Sequence, residues 1–234
     1  MVAPCYGLLD LELYSWYTRP DGSLEADSDF YSSSIDLEED LGYKDFSQTA
    51  GGSLVLGMHH QIEVSFLALD MSASNQLRED FNFGDLRFPA GSKVDSNIDV
   101  SGLGGAYRFE AGSDLLRGGF LAGIRHFGLS VGSESQAVGK AQRDVDAIIP
   151  VAGLFVSGHP LPFLNFKASA TAGRWEFDGE ESTFMEMDLG LLMEMPPGFY
   201  LGVGYRRMLL EHHSDSLDID MPLAGPMAFV GFRL

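Results

Sequence analysis

Strict alternation of apolar and polar residues limits how this chain can fold more than any other feature of its sequence. In 185–195 every odd-numbered residue is Met or Leu, whereas the even-numbered positions include Glu186, Asp188 and Glu194. Because successive side chains of a β-strand point to opposite faces, this segment predicts a strand with one apolar face and one mainly acidic face. We therefore expect a sheet protein that keeps apolar and charged faces apart.

The same alternation recurs along the chain, whereas helical periodicity is hard to find. It is clear in 9–13, 62–68 and 164–172. The whole pattern predicts ten strands, at about 5–18, 47–59, 61–71, 95–109, 118–132, 144–158, 163–177, 182–196, 199–213 and 217–234. Eight strands are the alternative if the stretch 47–71 is shorter, and twelve if 72–96 forms a hairpin of its own.

The connections between these segments fall into two sets that alternate along the chain. One set is short, at 59–61, 111–117, 159–162 and 196–198, and the other begins with long loops at 19–46, 72–96 and 132–143 before shortening to 178–181 and 214–216. Short turns on one rim and long loops on the other are typical of outer-membrane barrels. We therefore expect an all-β fold, a closed antiparallel up-and-down transmembrane barrel that forms one domain over 1–234, with periplasmic termini and extracellular loops.

Composition excludes several classes of protein. No run approaches the roughly 18 to 20 apolar residues of a membrane-spanning helix, which excludes helical spans only. With 34 acidic and 15 basic residues the net charge is −19, so nucleic acid is not expected as a partner. Much of the acid falls in the predicted loops. The one cysteine, Cys5, allows no intramolecular disulfide, and the first residues lack a signal-peptide pattern, so we expect that such a peptide is absent or already removed.

The last segment alternates up to its final residue. Val230, Phe232 and Leu234 share one face, opposite Phe229, Gly231 and Arg233. This ending resembles the assembly signal of outer-membrane barrels, in which the last residue is usually Phe rather than the Leu found here. The resemblance implies that the barrel assembly machinery is a partner.

Four stretches carry a wider resemblance, namely 11–21, the acidic 35–42, 87–94 and 225–234. Through them the chain is similar to a family of proteobacterial outer-membrane barrels of undefined role. Their motifs are barrel and loop features, and none is catalytic. The resemblance therefore implies a location in the bacterial outer membrane, with its lipid and lipopolysaccharide as partners, and implies no activity.

Charged residues on the proposed inward faces predict a filled lumen. The acids are Asp10, Glu12, Glu63, Glu186, Asp188 and Glu194, and the bases are Arg108, Lys167 and Arg206. A ten-stranded barrel is narrow enough for side chains to fill it, and unpaired buried charges are costly. We expect a paired network that plugs the barrel, joined by His126, which lies beside Arg125. A wide aqueous pore is therefore disfavoured.

Three functions fit this barrel. The first is a non-enzymatic barrel whose acidic loops serve surface interaction or envelope structure, and the second is a narrow channel for a small or apolar solute. The third is a hydrolase at the outer rim, where Asp80 or Asp85 facing His212 or His213 with Asp215 would imitate the omptin proteases. No catalytic residue and no cofactor is predicted. No metal site is predicted either, because His212 and His213 are consecutive on a strand and point to opposite faces. The pattern also permits a soluble lipocalin-like barrel.

Overall fold

The computed structural model of the protein describes residues 8–20, 22–28, 31–83, 86–113, 115–161, 163–177, 179–214 and 217–234. None of the described residues lies in a helix long and apolar enough to span a membrane. The strands of the described chain are β1 (Leu9–Pro20), β2 (Ser23–Ser28), β3 (Tyr31–Asp36), β4 (Ser47–Gly57), β5 (His60–Gln76), β6 (Phe81–Phe83), β7 (Leu86–Phe88), β8 (Lys93–Gly112), β9 (Leu116–Ser135), β10 (Gly139–Leu161), β11 (Leu164–Phe177), β12 (Glu180–Met195), β13 (Phe199–His213) and β14 (Leu217–Arg233).

Ten of these strands close into a barrel. Their order is β1-β4-β5-β8-β9-β10-β11-β12-β13-β14, and β14 also pairs with β1. All neighbours are antiparallel, and the closing seam runs from the pair Asp10 and Arg233 to the pair Pro20 and Leu223. The prediction of a closed ten-stranded antiparallel barrel is confirmed.

The other four strands belong to the two long loops. The hairpin β2–β3 extends the sheet, because β2 pairs with the first residues of β14, at 217–220. The hairpin β6–β7 forms a separate two-stranded sheet. The hairpin considered as an alternative within 72–96 therefore exists in short form, but it stays outside the barrel. The strand count remains ten for that reason.

The loop predicted at 132–143 is wrong. β9 and β10 are 20 and 23 residues long, and they continue through this stretch to a turn at 136–138. Their outward residues here are polar, as at Glu134 and Gln142, while Val131 and Ala141 are buried. The outward face does not need to be apolar where a barrel extends beyond the lipid. This stretch therefore lacks the alternation of apolar and polar residues by which the other strands were predicted.

The apolar faces of the strands point outward. A belt of exposed apolar side chains surrounds the barrel and includes Leu11, Leu13, Ile62, Val64, Phe66, Leu103, Phe120, Ile124, Ile148, Leu154, Met187, Leu189, Leu201, Val203 and Val230. Leu189, for example, is 61% exposed, whereas Leu192 on the same strand is buried. A lipocalin-like barrel would turn these residues inward, so the outward belt is the surface that lipid covers.

The barrel has a turn end, where the four short connections and the closing pair of Leu9 and Leu234 lie, and a loop end, where the two long loops lie. Inside, the half near the turn end is charged. The half near the loop end contains the apolar core, which we call the apolar plug. Its strand residues include Trp16, Leu69, Met71, Ile98, Val100, Phe127, Leu129, Val131, Ile149, Val151, Phe184, Met208, Leu210, Ile219, Met221 and Leu223, and its loop residues are Leu37, Leu41, Tyr43, Leu77, Phe81, Phe83 and Phe88.

Candidate functional site

Two groups of paired charges occupy the lumen below the apolar plug. The first, which we call the Glu63 group, contains Glu63, Arg108, Arg125, Glu186, Asp188 and Arg206. Arg108 Nη1 lies 2.7 Å from Glu63 Oε2, and Arg125 bridges Glu63 and Glu186 at 3.6 and 3.7 Å. Arg206 Nε then contacts both Glu186 and Asp188, at 3.4 and 2.6 Å.

The second group, which we call the Glu194 group, lies at the turn end. It contains Asp10, Glu12, Lys167, Glu194 and Arg233. Lys167 Nζ binds Glu12 across the lumen, and Arg233 binds Asp10 at 2.7 Å and Glu194 at 3.0 Å. The hydroxyl of Tyr200 donates to Asp10 at 2.8 Å, and the amide of Asn165 donates to Glu194.

Aromatic rings lie beneath several of these cations. Arg206 lies 4.1 Å from the ring centre of Tyr14, and Lys167 lies 4.0 Å from that of Phe229. Such contacts stabilise a cation that has lost part of its hydration. Paired carboxylates and aromatic faces together replace water around charges in the narrow lumen.

The structure places all nine lumen residues named from the sequence on inward faces and divides them between the two groups. Arg125, Arg233, Tyr200 and Asn165 also belong to these contacts but were not among the nine. The alternation along each strand shows that these four side chains face inward. Their partners lie on other strands, so the sequence did not indicate which residues they contact. The expectation that His126 faces the lumen is wrong, because it lies on the outer face, 3.4 Å from Asp146. Arg125 precedes it and takes the inward position.

A cavity of about 240 Å³ lies between the charged groups. Phe127, Phe184 and Met208 line it on the side of the apolar plug, and Met58 and His159 line it at the turn end. Both charged and apolar side chains form its walls. The arrangement can hold a small molecule between charged and apolar walls.

The rim residues considered for hydrolysis have other partners. His212 is buried and lies with Nδ1 2.9 Å from the hydroxyl of Ser182, whereas His213 on the opposite face lies 3.4 Å from Asp218. Asp80 binds Arg87 and the backbone N–H of Ala90 within its own loop.

Asp85 and Asp215, the other two members of the omptin-like set, lie outside the described residues, as does Cys5. The described part of the chain contains no group of three or more His, Cys, Asp or Glu side chains that could hold a metal ion. The set therefore offers no assembled hydrolytic or metal site among the described residues.

An acidic row crosses the outer surface beyond the apolar belt. The register aligns Asp70 of β5 with Asp99 of β8, Asp99 with Ser130 of β9, and Ser130 with Asp144 of β10. Asp146 lies one outward position below Asp144 on the same strand. These carboxylates stand on continuous strands, so their spacing is set by the sheet.

The terminal strand is held on both sides. Phe232 packs on Phe199 with ring centres 4.8 Å apart, and Val230 is exposed in the belt. Leu234 exchanges backbone hydrogen bonds with Leu9, at 2.9 and 3.3 Å. The stretch predicted as an assembly signal thus forms the seam at which the barrel closes.

Comparison with known proteins identifies the fold. No family model and no curated protein matches the sequence. Among solved structures, the outer membrane protease OmpT from Escherichia coli superposes with a TM-score of 0.59 at 9% identity, covering 97% of this chain and 96% of that one. The attachment invasion locus protein Ail of Yersinia pestis gives 0.43 at 10% identity over 97% and 99%, and the translocator domain of NalP from Neisseria meningitidis gives 0.46 at 12% over 97% and 88%. The chain has the fold of Gram-negative outer-membrane β-barrels.

Proposed function

We propose that this outer-membrane β-barrel is closed, non-conducting and non-enzymatic, and that its loop end mediates interaction at the cell surface. The observation that carries the proposal is the apolar plug, which fills the loop-end half of the lumen. Short turns are periplasmic in barrels of this kind, so the loop end is assigned to the exterior.

The second long loop supplies the outermost layer of the plug. Phe81, Phe83 and Phe88 are all buried, and the ring of Phe81 lies 5.6 Å from that of Phe83 and 6.2 Å from that of Phe88. Aromatic side chains each bury about 150–250 Å² and dominate the energetics of such packing. An ion crossing this layer would lose its hydration without gaining polar partners. The plug therefore argues against a narrow channel.

The first long loop is anchored in the same layer. Leu37, Leu41 and Tyr43 are buried with the second loop, and burial raises the pKa of the Tyr43 phenol to about 12. The hairpins of the two loops also contact each other. Both loops thus pack as a lid on the barrel.

The acidic row supplies the interaction surface of the proposal. Asp70, Asp99 and Asp144 are spaced by strand pairing and face away from the barrel. A surface of one charge sign raises the rate at which oppositely charged partners arrive. The partner expected at this surface is a basic macromolecule.

Planar bilayers test closure. We expect wild-type protein, refolded in detergent and checked by heat-modifiable mobility, to show no steady conductance. Replacing Phe81, Phe83 and Phe88 with Ser is expected to introduce channel openings, and Phe46→Ser, at a side chain that is 61% exposed, is the matched control. Large steady conductance of the wild type would contradict the proposal.

Cell adhesion tests the surface role. Cells that display the barrel are expected to bind polylysine-coated beads, and the triple variant Asp70→Asn, Asp99→Asn and Asp144→Asn is expected to lose that binding. The triple variant Glu39→Gln, Asp45→Asn and Glu79→Gln, at exposed positions of the two long loops, is the control because it also removes three negative charges. Equal adhesion of all three proteins would argue against the acidic row.

One observation favours a second candidate, an esterase-type hydrolase at the rim. Ser182 and His212 are directly paired across β12 and β13, with Oγ 2.9 Å from Nδ1. A serine within hydrogen-bond reach of a histidine is the minimum arrangement of an activated nucleophile. Hydrolysis of a p-nitrophenyl ester that is lost in Ser182→Ala and kept in His213→Ala would support it. An inactive wild type would remove it.

A further inference from the structure

The corner of the lumen cavity nearest the turn end contains an unsatisfied buried amide oxygen. Asn165 is only 3% exposed and lines the cavity. Its Nδ2 donates to Glu194 Oε1, and its Oδ1 is buried without a hydrogen-bond partner within the described part of the chain. The carboxylate fixes this orientation of the amide, because the reverse would place two acceptor oxygens together. Asn165 Oδ1 is therefore an acceptor that lacks a donor.

The imidazole of His159 lines the same corner and has a similar deficit. Its Nε2 lies 3.8 Å from Glu194 Oε1, and its Nδ1 is buried with no hydrogen-bond partner among the described residues. In a neutral imidazole whose Nε2–H faces the carboxylate, Nδ1 is an acceptor. With His159 in this neutral form, Asn165 Oδ1 and His159 Nδ1 are two buried acceptors, one on each side of Glu194, that have no donor among the described residues. Buried polar atoms are rarely left in this condition.

With His159 neutral, the Glu194 group also has one unbalanced negative charge. It contains three carboxylates, Asp10, Glu12 and Glu194, and two cations, Lys167 and Arg233. The Glu63 group, in contrast, matches three carboxylates with three arginines. The missing positive charge lies at the same corner as the two buried atoms that have no hydrogen-bond partner.

We propose that this corner binds a small molecule that carries a primary ammonium group. Such a group has one positive charge and three N–H donors, so it supplies what the corner lacks. Water provides donors without the charge, and a quaternary ammonium provides the charge without donors. The cavity of about 240 Å³ also has apolar walls at Phe155 and Leu192, which suit a short alkyl chain.

Calorimetry of the detergent-folded chain with three matched probes tests the chemistry. Butylammonium has the charge and the donors, tetramethylammonium has only the charge, and butanol has only a neutral hydroxyl. We expect butylammonium to bind about tenfold more tightly than either of the others. No binding of butylammonium, or equal binding of all three, would overturn the assignment.

Two variants locate the site. Glu194→Gln keeps the size of the side chain and removes the charge, and Asn165→Leu removes the acceptor. Each is expected to weaken butylammonium binding by about tenfold, whereas Asp45→Asn in the first long loop is expected to leave it unchanged. If Asn165→Leu does not fold, Glu194→Gln alone decides, and unchanged affinity in that variant overturns the site. This result is separate from conductance, because the cavity lies below the plug.

Discussion

The guanidinium of Arg206 and the carboxylate of Asp188 form a two-pronged contact between neighbouring strands inside the barrel. Arg206 Nε lies 2.6 Å from Asp188 Oδ1, and Nη2 lies 3.2 Å from Oδ2. The two residues are direct partners in the register of β12 and β13, and both are largely buried. Arg206 also contacts Glu186, which shares its negative charge between Arg206 and Arg125, so the two carboxylates of this strand are neutralised by two guanidinium groups together.

Replacing Arg206 with Met is expected to destabilise the barrel by about 3–5 kcal/mol, because Asp188 would keep its charge without a cation and Glu186 would keep only its contact with Arg125. The free energy of unfolding in urea, followed by tryptophan fluorescence in lipid vesicles, measures the effect. Arg207→Met is the control, since the next residue on the strand is exposed. A similar loss of stability in both variants would show that the pairing inside the lumen is not the cause.

The seam between β14 and β1 depends on a close backbone approach at Gly225. A Cβ atom at this position would lie 1.8 Å from the carbonyl oxygen of Tyr17, so even alanine requires the two strands to separate. Gly225→Ala is therefore expected to reduce the yield of heat-modifiable, folded barrel. At Gly105 a Cβ would meet nothing within 4 Å, and Gly105→Ala is expected to fold normally. Normal folding of both would contradict this account of the seam.

The two tryptophans report on different environments. Trp16 is fully buried in the apolar plug and donates from Nε1 to the carbonyl of Gly225 at 3.2 Å, whereas Trp175 is 50% exposed. Trp175→Phe is expected to leave emission that is blue-shifted and poorly quenched by acrylamide. Trp16→Phe is expected to leave emission from Trp175 that is red-shifted and readily quenched by acrylamide. Strong quenching of Trp16 by acrylamide in folded protein would indicate that the plug is open to solvent.

The second long loop is expected to loosen in acid. The Arg87 side chain and the Ala90 N–H hold the pKa of Asp80 below its ordinary value. A carboxyl with a lowered pKa in the folded state stabilises that state above its unfolded pKa, and the contribution is lost as the pH falls below about 4. A nitroxide at Ala90→Cys, which keeps the N–H, should become more mobile over that range in a chain whose other cysteine is removed by Cys5→Ser. In Asp80→Asn, mobility should not change with pH in this window.

Strand faces followed directly from the sequence. In 185–195 the alternation of apolar and acidic residues corresponds to the lipid face and lumen face of β12. The ten barrel strands and the inward placement of the charged residues were therefore predictable. Beyond the apolar belt the outward face is polar, so the end of β9 and the beginning of β10 were wrongly predicted to be a loop at 132–143. His126 was misplaced because it and Arg125 are consecutive and point to opposite faces, so only one of them can face the lumen, and that one is Arg125.

The sequence by itself determined that the strands have one apolar and one charged face, because a strand's two faces alternate with a period of two, and its alternating short and long connections favoured a closed barrel of ten strands with the charges inside. Tertiary structure alone decided which charges meet. Lys167 binds Glu12 from 155 residues away, since closure of the sheet brings β11 and β1 to opposite sides of one narrow lumen. It also decided that the long loops fold over the barrel as an apolar plug, and that Asn165 Oδ1 and His159 Nδ1 have no hydrogen-bond partner within the described part of the chain. These outcomes depend on distances across the lumen, which no local pattern of residues encodes.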